Sequence, residues 1–163
     1  MKSNLEQPIL DVIFDNKDII HEHGFIIFEP SAEKQFKLPS GRKIDILTWN
    51  IIDDECKVSL IEIKKDEITS RNGIVQAYDY AGELKELLFT DKKIKTIHLD
   101  IVLVGYELKD VFALHFMTFQ PTMFTYKFNP LTGFVFTQEN ESQGIVINKH
   151  EAVDELLNTI FNH

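Results

Sequence analysis

The stretch that decides the predicted fold is Lys43–Lys65, which reads KIDILTWNIIDDECKVSLIEIKK. Two apolar runs, Lys43–Ile52 and Lys57–Lys65, are separated by the polar residues Asp53–Cys56, and this pattern predicts a β-hairpin. Charged residues interrupt both runs, although strands of such apolar character normally lie inside a protein. These charges are therefore the first candidates for a functional site.

Besides the lysines at the strand ends, three charged side chains fall inside the two predicted strands: Asp45 in the first, and Glu62 and Lys64 in the second. Side chains of a strand alternate between its two faces, so Glu62 and Lys64 are expected on one face with Val58 and Leu60. A buried carboxylate or ammonium group costs several kcal/mol unless it is paired, hydrated or bound to a cation. We therefore expect these charges to serve a function.

Asp45 and Glu62 would meet if the two strands are neighbours in the sheet. Hard oxygen ligands from two strands suit Mg²⁺ or Mn²⁺, with water and a substrate phosphate completing the coordination, and the carbonyl oxygen of Ile63 would add a ligand. Lys64 would position or deprotonate the attacking water and offset charge that builds on a phosphate. The set predicts phosphodiester hydrolysis. The alternative is that Glu62 and Lys64 form an ion pair on an exposed edge strand.

The composition limits the class of protein. With 163 residues, 44% of them hydrophobic, the chain can bury one core, and a single domain over residues 1–163 is expected. No apolar run approaches the ~20 residues of a membrane helix, and residues 1–6 lack the apolar core of a signal peptide. The single cysteine, Cys56, excludes an internal disulfide and falls in the predicted turn, so a reducing, cytoplasmic location is expected. The formal net charge of -9 argues against a simple nucleic-acid coat and agrees with a cation site built from carboxylates.

The patterns on both sides of the hairpin predict an α/β (α+β) protein with a mixed central β-sheet flanked by helices. The predicted order is α-β-β-β-α-β, followed by a C-terminal hairpin and a terminal helix. Before and after the hairpin, the predicted elements are a helix over residues 5–21, strand segments at Phe25–Phe28 and Gln35–Leu38, and a helix with N-cap Ser70 that buries Ile74, Ala77, Tyr78, Ala81, Leu84 and Leu88. Further on, they are a strand at Ile97–Tyr106, whose Ile101–Val104 run indicates burial on both faces, and a segment at Leu108–Met117 for which a helix is favoured over a strand. The last predicted elements are strands at Met123–Phe128 and Phe134–Thr137 and a helix over residues 152–161.

The hairpin, with Asp45 in its first strand and Glu62-Ile63-Lys64 in its second, resembles the core motif of the PD-(D/E)XK nuclease superfamily. That superfamily includes restriction endonucleases, Holliday-junction resolvases, and RecB-like and NucS-like repair nucleases. Lys43-Ile44 stands where the family has a proline before the aspartate. The element order over residues 5–106 is also similar to the family's core. The resemblance implies a restriction-endonuclease-like fold in which Asp45, Glu62 and Ile63 hold the metal ion and Lys64 is catalytic.

Gln76 and Tyr80, on the predicted second helix, resemble the Q-x-x-x-Y accessory motif of RecB-like and NucS-like members. Residues four apart lie on one face of a helix, and these two are expected beside the apolar stripe rather than within it. The resemblance implies that Gln76 acts at the catalytic site by orienting a phosphate or a ligand, and that Tyr80 contributes to substrate binding. Ordinary helix surface is the alternative interpretation.

Members of this superfamily commonly carry an additional acid upstream of the hairpin. Glu6, Glu22 and Glu33 are the candidates in this chain, and Glu22 is favoured as a further metal ligand because it lies near the predicted end of the first helix, next to the sheet. A solvated residue at a helix end is the alternative for Glu22.

The leading hypothesis is a Mg²⁺- or Mn²⁺-dependent deoxyribonuclease with a role in DNA repair, restriction or mobile-element biology. Arg42, Lys65 and Arg71 are candidates for contacts to the DNA backbone. A homodimer or a larger assembly would extend this small core, with Phe112–Phe136 as its candidate contact surface, and burial in an ordinary core is the alternative for the same residues. The main alternative is a catalytically inactive module of the same fold that binds DNA or a protein partner. A third is an unrelated α/β domain with a structural ion pair.

Overall fold

A computed structural model of the chain describes residues 6–22, 26, 28–64, 67–68, 73–108, 122–129, 133–138 and 143–147. The predicted order α-β-β-β-α-β is found as far as the strand Thr96–Gly105, with two differences: two helices stand in place of the first one, and a two-residue strand, Glu67–Ile68, precedes the helix Val75–Leu88. The elements are α1 (Glu6–Asp15), α2 (Lys17–Glu22), β1 (Ser31–Lys37), β2 (Lys43–Ile52), β3 (Glu55–Ile63), β4 (Glu67–Ile68), α3 (Val75–Leu88), β5 (Thr96–Gly105), β6 (Glu107–Leu108), β7 (Thr122–Asn129), β8 (Gly133–Gln138) and β9 (Gln143–Ile147).

The strands β1-β2-β3-β5-β7-β8-β9 form one sheet in that order, while β4 and β6 pair with each other. β5 runs parallel to both β3 and β7, and the other neighbours in the large sheet are antiparallel. Parallel neighbours need a crossover connection, and α3 lies within the crossover from β3 to β5. The predicted mixed sheet with helices is therefore confirmed. β7 and β8 pair antiparallel in the region where the C-terminal hairpin was predicted.

Two apolar clusters on opposite faces of the sheet explain how the helices are attached. The alternation predicted for β3 is confirmed, because Leu60 belongs to one cluster and Ile61 to the other. The α1-side cluster contains Ile9, Leu10, Val12, Ile13, Ile20, Ile26, Phe28, Ile46, Ile61, Ile63, Val102 and Val104. The α3-side cluster contains Leu38, Ile44, Leu47, Cys56, Val58, Leu60, Ile68, Ile74, Ala77, Tyr80, Ala81, Leu84, Ile94, Ile101 and Leu103.

The hairpin of β2 and β3 is tighter than predicted. Only Asp53 and Asp54 connect the strands, and Asp53 has a positive φ of 56°. Cys56 was expected in the turn, but it lies in β3 and is fully buried. Side chains alternate along the strand, so its neighbours Glu55 and Lys57 point outward and Cys56 points inward. Burial raises the pKa of the Cys56 thiol.

The N-terminal helix and the first strand differ from the prediction in two places. The helix is interrupted at Asn16, whose side-chain amide donates a hydrogen bond to the Val12 carbonyl at 2.8 Å. The expected strand at residues 25–28 is wrong at Phe28, which is buried in the α1-side cluster without strand pairing, and β1 begins only at Ser31. The preceding residue, Pro30, has no N–H group with which to join a strand ladder.

Several predictions fall on residues that the structure does not describe. α3 begins at Val75 with Ile74 as its N-cap, whereas the predicted N-cap, Ser70, lies outside the described residues. Most of the predicted segment at 108–117 and all of the predicted helix at 152–161 also lie outside them. None of the described helices combines the length and apolar character needed to cross a membrane.

Candidate functional site

Asp45 and Glu62 lie where the β2–β3 ladder ends, and this place is called the fork below. The last ladder pair at this end of the hairpin is Ile46 with Ile61. Beyond it, the Asp45 amide donates a hydrogen bond to Glu62 Oε1 at 3.1 Å, and the Ile63 amide donates one to Asp45 Oδ2 at 2.7 Å. Each carboxylate thus bonds the backbone of the opposite strand, and the predicted meeting of the two acids is confirmed.

Both carboxylates are buried: Asp45 is 1% exposed and Glu62 is 3% exposed. Glu62 follows Val58 and Leu60 on the α3 side of the sheet. The alternative of an exposed ion pair on an edge strand is wrong for Glu62, because β3 lies between β2 and β5. The charges predicted from the sequence therefore occupy an interior position.

Lys64 continues the line of β3 and reaches α3. Its backbone amide donates to the Val104 carbonyl at 2.7 Å, which holds residue 64 beside β5 just beyond the end of β3. Its ammonium group donates to Gln76 Oε1 at 2.5 Å, and both side chains are half-buried. The structure thus brings together Lys64 and Gln76, which the sequence had placed on separate elements.

Gln35 joins the site from β1, and no sequence pattern identified it. In the β1–β2 register it lies opposite Asp45, and its Nε2 donates to Asp45 Oδ1 at 3.3 Å. Its φ is +55°, a left-handed conformation that costs a residue other than glycine ~1–2 kcal/mol. Sequence offers little sign of such a conformation, because glycine, asparagine and aspartate are the residues usually found there.

Tyr80 and Arg42 form a second group near the start of β2. The prediction that Tyr80 lies off the apolar stripe is wrong: it is 7% exposed and belongs to the α3-side cluster, while Tyr78 is half-buried. The Arg42 guanidinium lies over the Tyr80 ring, 4.9 Å from its centre, which is a cation–π contact. Arg42 itself is exposed and forms an ion pair with Glu83 at 2.9 Å.

Glu83 fixes the turn between β1 and β2 to α3. It accepts hydrogen bonds from the Ser40 amide at 2.7 Å and the Ser40 hydroxyl at 2.9 Å, besides its contact with Arg42. The bonds from Ser40, with a smaller effect of Arg42, hold the pKa of Glu83 below its ordinary value. The sequence did not predict this group, because its members lie more than forty positions apart.

Within the described part of the chain, Asp45 and Glu62 are not joined by a third acid that would complete a metal site. Among the residues whose side chains are described, no three His, Cys, Asp or Glu residues lie close enough together to hold a metal ion. Glu22, favoured as a ligand, is exposed at the end of α2, and Glu33 is exposed in β1. The prediction for Glu22 is therefore not met. The side chains of Glu6, Lys65 and Arg71, and those of Phe112–Phe136, lie outside the described part of the chain.

The donor set of the fork fits a small divalent cation. Oxygen atoms from Asp45 and Glu62 are ligands of the type that Mg²⁺ and Mn²⁺ prefer. Two protein carboxylates are also the number that a magnesium site commonly uses when substrate phosphate and water supply the remaining ligands.

Comparison of the chain with protein-family models, with curated proteins and with solved structures found no match. The resemblance to the nuclease superfamily therefore rests on residues and elements of this chain alone.

Proposed function

We propose that this protein hydrolyses phosphodiester bonds in DNA with a bound Mg²⁺ or Mn²⁺, on a restriction-endonuclease-like core of the PD-(D/E)XK type. One observation carries the proposal: Asp45 and Glu62 are buried side by side at the fork of two neighbouring strands, with Lys64 two residues beyond Glu62. Carboxylate oxygens from two neighbouring strands are the ligands that Mg²⁺ and Mn²⁺ prefer. A lysine beside such a pair suits phosphodiester chemistry, because its charge can offset the charge that builds on the phosphate.

Asp45 and Glu62, with the carbonyl group of Ile63, would hold the metal ion. The bound ion acts as a Lewis acid that makes a water molecule more acidic and polarises the phosphate. The ammonium group of Lys64 lies on the α3 side of the sheet, where it contacts Gln76. From there it would orient the attacking water and offset charge on the phosphate oxygens. Gln76 accepts a hydrogen bond from that ammonium group and so fixes its direction.

DNA is the substrate that the basic residues near the site favour. Arg42 is exposed and held over Tyr80, so its guanidinium lies at the surface and can exchange Glu83 for a phosphate group. Lys65 and Arg71 follow the site in sequence and are the other proposed backbone contacts. The chain as a whole carries a formal charge of -9, so binding depends on these local groups. A homodimer would extend the surface that they offer.

A second candidate is a catalytically inactive module of the same fold that binds DNA or a protein. The hydrogen bonds of Asp45 favour it, because Oδ1 accepts from Gln35 and Oδ2 accepts from Ile63. A carboxylate held in this way also serves to close the fork between the strands. Metal binding and DNA cleavage separate the two candidates.

The test combines Mn²⁺ binding by calorimetry with nicking of plasmid DNA in Mg²⁺. Asp45→Asn and Glu62→Gln should lose both Mn²⁺ binding and nicking. Lys64→Met should still bind Mn²⁺, but its nicking rate should be at least ~100-fold lower than that of wild type. Asp11→Asn, which changes a carboxylate on α1 that contacts Lys34, is the matched control and should keep both properties. A wild-type protein that binds no Mn²⁺ overturns the metal site, and one that binds Mn²⁺ without nicking DNA favours the inactive module.

A further inference from the structure

We infer that Gln35 is a positioning residue for the Asp45 carboxylate, and that β1 keeps a strained backbone at this point to present it. The inference rests on the proposed metal site, to which it adds a residue from a third strand. Gln35 has no place in the motif that suggested the site. Its role follows from the geometry of the sheet edge.

The backbone around Gln35 is regular on both sides of it. Lys34 pairs with Ile46 and Phe36 pairs with Ile44, while Gln35 between them has a φ of +55°. A side chain in this conformation crowds the following carbonyl group, and glycine avoids the conflict. A glutamine at a position that suits glycine indicates that its side chain is needed there.

The partner strand is also irregular at this point. Ile44 packs in the α3-side cluster and Ile46 in the α1-side cluster, although residues two apart in a regular strand share a face. β2 therefore rotates at Asp45, opposite the left-handed residue of β1. Residues held in sparsely populated backbone conformations, as Gln35 is here, cluster at active sites and ligand clamps.

The side chain of Gln35 completes the hold on Asp45. Because a carboxylate only accepts hydrogen bonds, the Gln35 amide must face it with nitrogen, and Nε2 lies 3.3 Å from Oδ1. Oδ2 of the same group accepts from the Ile63 amide at 2.7 Å. One oxygen of Asp45 is held from β1 and the other from β3, so the plane of the carboxylate is fixed before a metal ion binds. Groups that orient a metal ligand in this way raise its affinity for the metal.

Two substitutions separate the side chain from the backbone strain. Gln35→Met keeps the length and the strained conformation but removes the amide, and Gln35→Gly removes both the amide and the strain. The dissociation constant for Mn²⁺ should be at least ~10-fold higher in both variants than in wild type, which is the usual effect of losing a group that supports a metal ligand. Gln35→Gly should nevertheless unfold at a temperature equal to or above that of Gln35→Met.

The matched control is Gln7→Met on α1. Gln7 also donates from Nε2 to an aspartate, Asp11, at 3.1 Å, so the same type of hydrogen bond is removed away from the proposed site. It should leave Mn²⁺ affinity at the wild-type value. A purely structural role for Gln35 would change the unfolding temperature and leave the Mn²⁺ affinity unchanged.

Amide hydrogen exchange without metal tests the positioning directly. The Ile63 amide should exchange about fivefold faster in both Gln35 variants, the factor expected for weakening one ordinary hydrogen bond, while the Lys64 amide, bonded to Val104, keeps its rate. Wild-type Mn²⁺ affinity and unchanged Ile63 exchange would together overturn the inference and leave the metal site standing. If wild-type protein binds no Mn²⁺, the proposed function fails, and the Ile63 exchange rate alone decides whether Gln35 holds Asp45.

Discussion

Lys64, just beyond the end of β3, is joined to Gln76 in the first turn of α3 by a 2.5 Å hydrogen bond from its ammonium group to the side-chain carbonyl. Hydrogen bonds with an ionised donor are shorter and stronger than neutral ones. A lysine ammonium on its flexible stem otherwise samples many positions. Gln76 thus decides where the positive charge of Lys64 lies relative to the fork.

Removal of this hydrogen bond should slow catalysis more than it weakens metal binding. Gln76→Ala is expected to lower the single-turnover rate of plasmid nicking by ~10- to 100-fold, because Lys64 loses its orientation. The dissociation constant for Mn²⁺ should stay close to that of wild type, since Gln76 contacts Lys64 rather than a carboxylate. Val75→Ala, at the exposed neighbouring position of α3, is the control. Wild-type nicking by Gln76→Ala would refute the role of this contact.

The hydrogen bond from Ile63 to Asp45 predicts a difference in stability between two substitutions of Asp45. Asp45→Ala removes the acceptor of a buried amide and should lower the free energy of unfolding by ~1–3 kcal/mol. Asp45→Asn keeps an acceptor oxygen and removes one of two neighbouring buried charges, so it should be clearly more stable than Asp45→Ala. Urea unfolding in the absence of metal measures both.

Asp11→Ala provides the comparison for loss of a carboxylate that is not buried, and it should cost about 1 kcal/mol or less. If Asp45→Ala and Asp45→Asn unfolded at the same urea concentration, the Ile63 amide would not depend on Asp45. The fork would then be held by the sheet alone.

The part of the fold that the sequence predicted is the part governed by local periodicity. Alternation assigned Leu60 and Ile61 to opposite faces. The apolar run Ile101–Val104 in β5 correctly indicated burial on both faces, because Ile101 and Leu103 pack in the α3-side cluster and Val102 and Val104 in the α1-side cluster. The meeting of Asp45 and Glu62 followed from the same rule, because a hairpin makes its strands neighbours. These features need no information from distant parts of the chain.

The features that the sequence did not predict depend on contacts between distant residues. Tyr80 packs in the α3-side cluster with its ring under Arg42, which lies 38 positions earlier in the chain, and helical periodicity carries no record of that contact. Gln35 adopts its left-handed conformation opposite Asp45, at a residue type that rarely does so. Cys56 was misplaced because a polar run of four residues does not reveal where a two-residue turn begins.

Occupancy of the fork by a cation should stabilise the folded protein. A ligand present at a hundred times its dissociation constant contributes about 2.7 kcal/mol, which raises the unfolding temperature of a domain of this size by roughly 5–10 °C. Thermal unfolding with Mn²⁺ should show this rise, and a chelator should reverse it. Asp45→Asn should show no rise, because one of the two proposed ligands has lost its charge. An equal rise in wild type and Asp45→Asn would place Mn²⁺ elsewhere on the protein.

The contacts of Glu83 predict a pH dependence that is separate from the candidate metal site. Its pKa is lower in the folded protein than its ordinary value because it accepts hydrogen bonds from Ser40 and pairs with Arg42. A group with a lowered pKa stabilises the fold above its unfolded pKa, about 4.3 for glutamate, and this contribution is lost as the pH falls through the lower folded value. Stability should therefore decrease below pH ~4.3 in part through Glu83.

Glu83→Gln removes the titrating group and should make the urea midpoint less sensitive to pH in this range, while lowering the midpoint at pH ~7, where the charged contacts of wild type are complete. Glu86→Gln is the matched control on the same helix, because Glu86 is exposed and makes none of the contacts with Ser40 or Arg42. It should keep the pH sensitivity of wild type. If the urea midpoints of Glu83→Gln and wild type fell in parallel on acidification, other carboxylates would account for the loss. The attachment of the β1–β2 turn to α3 would then not depend on the charge of Glu83.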